Sequence, residues 1–354
     1  MSSSQTYSPF RSVLLREWRR MTSRRLYFGV CIILPLFTLF FMATIFGNGQ
    51  MENIPIGIVD QDNTASSRAI ARNISAVPTF KVTRHFVNEE AARKAVQKKE
   101  IYGYLSIPPK FEQDAISGKN ATLSYYYHYA LLSVGGELMA AFETSLAPVS
   151  LSPIVMQAVA LGVEQDKITT FLLPVQASNH PIYNPSLDYS VYLSQPFFFV
   201  LFQVLILLIT VYAVGIEIKF RTADEWLFVA KGNMVTAVLG KLLPYTIIFI
   251  LIGWLANYVM FGILHIPFQG SWLLMNMLTA LFVVATQALG LFLFSLFPAI
   301  SLIISIVSMV GSLGATLSGV TFPVTNMYPL VRDASYLFPV RHFTEMMQDM
   351  LYGG

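Results

Sequence analysis

Six charged residues, Glu217, Lys219, Arg221, Asp224, Glu225 and Lys231, fall within the sixteen positions of EIKFRTADEWLFVAKG, in a chain that is only 12% charged. The other chemically capable residue types are dispersed. His85, His128, His180, His265 and His342 lie one per region, without an i+4 partner or a cysteine near any of them, so the spacing of a metal site is missing. Gly240-Lys241 is followed by leucine and Gly118-Lys119 lacks an upstream glycine, so neither forms a phosphate-cradling GxxxxGK[ST] loop. The single cysteine, Cys31, sits in an apolar run and offers neither a disulfide framework nor a cysteine metal site. These patterns supply no catalytic, cofactor-binding or metal-binding residue. The six charges are the feature to explain.

Their surroundings decide where they can lie. The 354 residues are 55% hydrophobic and 14% aromatic, with a mean hydropathy of +0.57, whereas soluble domains carry about 25% charged residues. Five stretches have spanning length: 26–46, 191–216, 239–264, 272–297 and 299–320. At about 2.5–3.5 kcal/mol per charge at a helix centre, six buried in a bilayer would cost roughly 15–20 kcal/mol. The segment therefore lies outside the membrane.

Arg11, Arg16, Arg19, Arg20, Arg24 and Arg25 precede the first span and are opposed only by Glu17, which places the N-terminus in the cytoplasm. The apolar run 26–46 is too long for a cleaved signal and reads as an uncleaved anchor. Alternation puts Lys219, Arg221, Lys231 and Lys241 inside after the second span, and HIPFQG, without Lys or Arg, outside after the third. Residues 1–25 contain Phe10, Val13, Leu14, Trp18 and Met21 on one helical face, with Arg16, Arg19 and Arg20 beside it, the pattern of an interfacial helix. FPA at 297–299 predicts a tight hairpin between spans four and five.

Residues 47–190 are enough for an extracytoplasmic domain. IPIGIVD, FKVTRHF, IYGYLSI and ATLSYYYHY read as strands with helices between them, giving β-α-β-α-β-α-β. In NEEAARKAVQKKE the pairs Glu89/Arg93 and Glu90/Lys94 are spaced i,i+4. Two long helices follow Tyr129. The tyrosines of YYYHY fit a strand packing face or the membrane interface better than a ligand platform.

Within span five, Ser308, Gly311, Ala315 and Gly319 are three or four apart, which allows close helix packing within a subunit or across a dimer, or the lining of a pathway. Gln203, Asn257, Thr286 and Gln287 suit interhelical hydrogen bonds or a substrate route. No Asp, Glu, Lys or Arg lies near the middle of a span, which counts against proton- or ion-coupled transport. In the loop 217–238, TADEWLFVA reads as a short helix capped by Thr222, with Asp224 and Glu225 in its first turn and Trp226, Leu227, Val229 and Ala230 apolar. The acids disfavour an anionic lipid surface and favour a handle for a soluble partner.

The whole chain resembles the permease subunits of type-2 ABC exporters with a large extracytoplasmic domain. Three segments carry the resemblance: EIKFRTADEWL, with Glu217, Thr222, Glu225 and Leu227 at matching positions; GKLLPY, Gly240 to Tyr245; and the ending, with Gly319, Phe322, Pro323, Pro329, Pro339, His342 and Gly353. Arg221 stands where the family often has glycine, and FVAKG replaces its usual Thr-Pro.

The resemblance implies a polytopic α-helical membrane protein with an inserted α/β extracytoplasmic domain, five spans visible and six expected. It also implies a bacterial inner-membrane location and a coupling helix formed by Glu217, Arg221, Thr222, Asp224, Glu225, Trp226 and Leu227. That helix would dock on a separate ABC ATP-binding protein, which holds the ATP and Mg. A second permease subunit completes the transporter, membrane lipid surrounds it, and the external domain holds either the substrate or a periplasmic adaptor protein. Residues 321–354 become an extracytoplasmic or re-entrant segment before a missing sixth span, so a truncated sequence is expected.

The net charge of +3 gives no reason to expect nucleic acid. The reading that follows is a non-enzymatic transport subunit exporting a hydrophobic drug, peptide or lipid-like substrate. The alternative is an envelope receptor or anchor whose external domain binds a ligand or partner.

Overall fold

The computed structural model describes residues 8–23, 25–45, 51–117, 121–160 and 190–352. The chain divides into two compact units, Gln50–Leu187 and the combination of Met1–Gly49 with Asp188–Gly354. The second of these opens with helix α1 (Pro9–Ser23). A helical segment follows, α2 (Arg25–Phe28), a π-helical turn Gly29–Ile33, and α3 (Leu34–Ile45).

The inserted unit is a four-stranded sheet of order β2-β1-β3-β4. Its elements are β1 (Ile54–Asp60), α4 (Ala65–Ser75), β2 (Phe80–Phe86), α5 (Glu89–Gln97), β3 (Gly103–Ile107), α6 (Phe111–Ile116), β4 (Ser124–Tyr127) and α7 (Leu132–Ala160). β1 runs parallel to β2 and β3, and β4 closes the other edge antiparallel to β3. Strand alternation sorts the core onto two faces. Ile54, Ile56, Leu105 and Ile107 pack with Ile70, Ile74, Leu138 and Phe142, while Val59 and Tyr104 pack with Ala92 and Ala95 of α5. Glu90 pairs with Lys94 at 2.6 Å, but Glu89 instead accepts a hydrogen bond from Ser106.

The tyrosines of β4 are packed. Tyr125 stacks on Phe142 and Tyr126 on Tyr104. The carboxyl ends of parallel strands are the usual ligand crevice of such sheets, and here a cavity of about 790 Å³ lined by Asp60, Arg68, Arg72 and His85 lies at the ends of β1 and β2, beside acids that are hydrogen-bonded within the chain. Asp60 accepts the N–H groups of Asp62 and Asn63 and the hydroxyl of Ser67, and Asp62 accepts the hydroxyl of Thr64 and the N–H of Glu112. Where two helices were expected after Tyr129, α7 is one continuous helix as far as Ala160, and 161–189 lie outside the described residues.

The chain continues through a π-helical turn Ser190–Ser194 into α8 (Gln195–Lys219), then α9 (Ala223–Val229), α10 (Met234–Asn257) with a π-helical extension to Ile263, α11 (Trp272–Leu296), α12 (Ile300–Leu317), α13 (Pro329–Ser335) and α14 (Pro339–Tyr352). Among the described residues, four helices are long and apolar enough to cross a membrane: Tyr192–Lys219, Met234–Ile263, Trp272–Leu296 and Ile300–Leu317. The expected first span forms a shorter apolar helix, Gly29–Ile45. Only Phe297 to Ala299 separate α11 from α12, as the hairpin requires.

Two boundaries differ from the sequence reading, and both matter. α8 continues to Lys219, so Glu217 belongs to a helix and not to a loop, and α10 begins at Met234, so Lys241 lies in its second turn. Paired charges let both helices continue past the point where hydropathy ends.

The face of α12 that packs is Ile303, Val307, Gly311 and Gly314. Of the four small residues singled out above, Gly311 is on that face, Ala315 is half-buried, Ser308 is exposed, and Gly319 lies beyond the helix with φ +85°. A Cβ on Gly314 would meet Gln203 Nε2 at 2.5 Å, and one on Gly311 would meet Val204 Cγ2 at 2.8 Å. Gly314→Leu is therefore expected to cost about 1–3 kcal/mol through overpacking, read as a lowered thermal midpoint of the purified protein. Ser308→Leu should stay within about 0.5 kcal/mol of the parent.

Of the four polar groups noted inside the spans, Asn257, Gln287 and Gln203 are cross-linked, while the buried Thr286 hydroxyl has no hydrogen-bond partner among the described residues. Asn257 donates to Thr279 and Asn276 and accepts from Gln195, and Thr246 donates to Gln287. Gln203 accepts the backbone N–H of Val340 at 2.9 Å, which anchors the start of α14 on α8. Phe343 of α14 packs on Phe199 and Phe282.

Candidate functional site

α1 lies along α10, and their approach is close because position 240 is glycine. A Cβ there would sit 3.0 Å from Val13 Cβ and 3.3 Å from the Phe10 carbonyl oxygen. The buried residues of α1 are Val13, Glu17 and Met21, while Phe10 and Trp18 remain exposed. The apolar face expected for α1 is thus split, with a carboxylate at the centre of its docked side.

That carboxylate belongs to a buried ion cluster. Glu217, wholly buried, accepts a forked pair of hydrogen bonds from Arg16, Nη1 to Oε1 at 2.9 Å and Nη2 to Oε2 at 3.1 Å. Its Oε1 also accepts from Arg20 and from Lys241 Nζ at 2.7 Å, and its Oε2 accepts from the Thr222 hydroxyl. Lys241, also wholly buried, reaches Glu17 Oε2 at 2.6 Å, and the Tyr245 hydroxyl donates to Glu17 Oε1 at 2.7 Å. Three cations thus surround two carboxylates. Burial works against the charge of Arg20, but the carboxylates of Glu217 and Glu17 outweigh it and raise its pKa above the ordinary value. It stays a cation.

The same cluster fixes the short helix α9. Lys241 Nζ lies 5.3 Å from the Trp226 ring centroid, and the Trp226 indole N–H donates to the Ala237 carbonyl at 3.1 Å. Thr222 stands at the N-cap of α9, but its side chain makes no capping bond because it is turned back to Glu217. Arg16, Arg20, Glu217, Thr222 and Trp226 are therefore brought together. Arg19, Arg221, Asp224 and Glu225 are exposed, and Leu227 is half-buried. Phe228, 84% exposed, stands one turn after Asp224 and forms one outer face with it and Glu225.

Sequence reasoning missed Glu17, Lys241, Tyr245 and Phe228. Two signals were available: the lone acid among six N-terminal arginines, and the i,i+4 spacing of Lys241 and Tyr245 inside GKLLPY.

Arg221 has φ +54°, in the left-handed region that favours glycine. The turn joining α8 to α9 explains why glycine suits this position. Arg221→Gly is expected to stabilise the chain by up to about 1 kcal/mol, measured as a raised thermal midpoint; a lowered midpoint would refute the strain argument.

The arrangement is a positional clamp. It ties one end of α1, α8 and α10 to a surface helix with a partly acidic, partly aromatic outer face, and among the described residues no cluster of metal-binding side chains accompanies it.

Comparison with known proteins agrees with this architecture. Two curated relatives are each 21% identical over 351 residues, covering 97% of this chain and 88% of their own: "Probable multidrug ABC transporter permease YbhS" from Escherichia coli strain K12 and from Escherichia coli O157:H7. No solved structure gives a significant match. The family described as ABC-2 family transporter protein matches residues 25–354, nearly the whole length, and the chain belongs to that family.

Proposed function

We propose that this chain is the membrane subunit of an ATP-driven exporter and that α9 is its coupling helix. The observation that carries this reading is the clamp. Trp226 and Thr222 hold α9 to α8 and α10, and Arg16, Glu17 and Arg20 tie α1 to the same charges, while Asp224, Glu225 and Phe228 face outward. A force applied to the outer face would pass to α1, α8 and α10 together, since packed, paired charges leave little slack.

In this reading a separate ATP-binding protein holds ATP and Mg and docks on the outer face, and a second permease subunit completes the pathway. The N-terminus and α9 lie in the cytoplasm of an inner membrane, and the α/β unit lies outside. The multidrug label of the E. coli relatives supports hydrophobic, drug-like cargo. The family membership favours export over the anchored-receptor alternative.

The test is co-purification of the ATP-binding protein with the full chain, together with substrate-stimulated ATPase activity of the reconstituted pair. Both are expected to be lost when Asp224, Glu225 and Phe228 are replaced together by lysine, lysine and alanine. Retention of both by a well-folded variant would overturn the assignment.

A further inference from the structure

The cavity at the carboxyl ends of β1 and β2, about 790 Å³, has the volume of a small-molecule pocket. In open parallel sheets the usual ligand crevice lies where the strand order reverses, here between β1 and β3. The chain's own bonds tie that gap together. Asp62, after β1, accepts the N–H of Glu112, after β3, and the Glu112 carboxylate accepts the hydroxyl of Ser66. The opening beside β2 is what remains for a ligand.

Helix α4 lines one wall with Arg68 and Arg72, four residues apart and so on one face. Arg68 Nη1 donates to the Asn63 carbonyl at 2.8 Å, which positions the guanidinium and leaves its other donors open to the cavity. The Arg72 guanidinium makes no ion pair or hydrogen bond among the described residues. His85, at the end of β2, adds a ring N–H, which a neutral imidazole keeps in either tautomer. Asp60 is the acid in the wall, but its oxygens already accept the N–H groups of Asp62 and Asn63 and the hydroxyl of Ser67. Its charge is committed to the start of α4, and two guanidinium groups are left for an incoming anion. Ala71, Phe86 and Val87 supply an apolar side, with Val87 89% exposed.

We propose that this cavity binds a small organic anion, a carboxylate or phosphate ester carried on an apolar frame. The anionic group pairs with Arg68 and Arg72, whose planar forks match its oxygens, and accepts from His85, while the frame lies on Ala71, Phe86 and Val87. A free inorganic anion would leave the apolar side and most of the volume unused, and a neutral hydrophobe would leave both guanidinium groups unpaired. An acidic strand of another protein is disfavoured. β2, the outer strand, carries an extra residue at Thr83 where its register with β1 shifts, and such a bulge blunts a sheet edge. The site belongs to the α/β unit alone and is independent of the coupling role of α9.

The experiment places the purified full chain in phosphatidylcholine nanodiscs and titrates naphthoate by calorimetry, with empty nanodiscs as the baseline. Saturable binding is expected. Acetate and naphthylmethanol should each bind at least about tenfold more weakly, since one lacks the frame and the other the charge. Arg72→Gln should weaken naphthoate binding about tenfold, the effect of one charge-assisted hydrogen bond, and Val87→Ser about threefold through lost apolar contact. Both side chains are exposed, so both variants should fold, and unchanged thermal midpoints check this. No saturable heat beyond that of empty nanodiscs, or binding unaffected by both substitutions, would overturn the proposal. Acetate binding as tightly as naphthoate would reduce the site to one for a free anion, and tetraglutamate binding more tightly would reassign it to an acidic protein segment; either result would overturn the organic-anion assignment.

Discussion

Replacing Lys241 by methionine is expected to destabilise the protein by about 3–5 kcal/mol, the usual consequence of removing one partner from a buried ion pair. The burden falls on Glu17. Glu217 keeps Arg16, Arg20 and Thr222, whereas Glu17 is left with the Tyr245 hydroxyl and with Arg20 at 3.9 Å. Converting Glu17 to glutamine in the same protein removes that stranded charge. The double variant Glu17→Gln/Lys241→Met is therefore expected to recover about 2 kcal/mol of the loss. A double-mutant cycle on thermal or denaturant unfolding in detergent measures the coupling. Additivity within about 0.5 kcal/mol would show that the two residues do not act as one unit.

Phe228→Ala is expected to weaken binding of the ATP-binding partner by about 2 kcal/mol, roughly thirtyfold, if this exposed ring is an interface anchor. The thermal midpoint should barely move, because the side chain is 84% exposed in the isolated chain. Trp226→Ala should behave in the opposite way. Trp226 is 3% exposed, donates to Ala237 and lies under Lys241, so its truncation is expected to cost about 3–5 kcal/mol of stability. Any loss of partner binding by that variant would then follow from a displaced α9. Binding titrations beside unfolding curves separate the two effects. Equal binding losses with no stability change in either variant would place Trp226 on the docking surface and contradict the clamp.

Local pattern was enough to place the long elements. Apolar runs of spanning length located the four long helices, because a bilayer demands a fixed number of consecutive apolar residues. Alternation in IPIGIVD and FKVTRHF located β1 and β2, because successive strand side chains point to opposite faces. The density of charge between Glu217 and Lys231 marked the segment that holds α9.

Tertiary structure decided the rest. Hydropathy treats a charge at a helix end as solvated, so Glu217 read as a loop residue and Lys241 as the cytoplasmic end of a span; only the arrival of Arg16, Glu17 and Arg20 from some 200 residues away makes burial tolerable. Three- and four-residue spacings on α12 fit more than one face, and the side that packs was chosen by Gln203 and Val204 of α8, which require glycine at 314 and 311. Which residues of EIKFRTADEWLFVAKG face inward followed from the same cause. Thr222 and Trp226 turn toward the paired charges, and that leaves Asp224, Glu225 and Phe228 on the outer face.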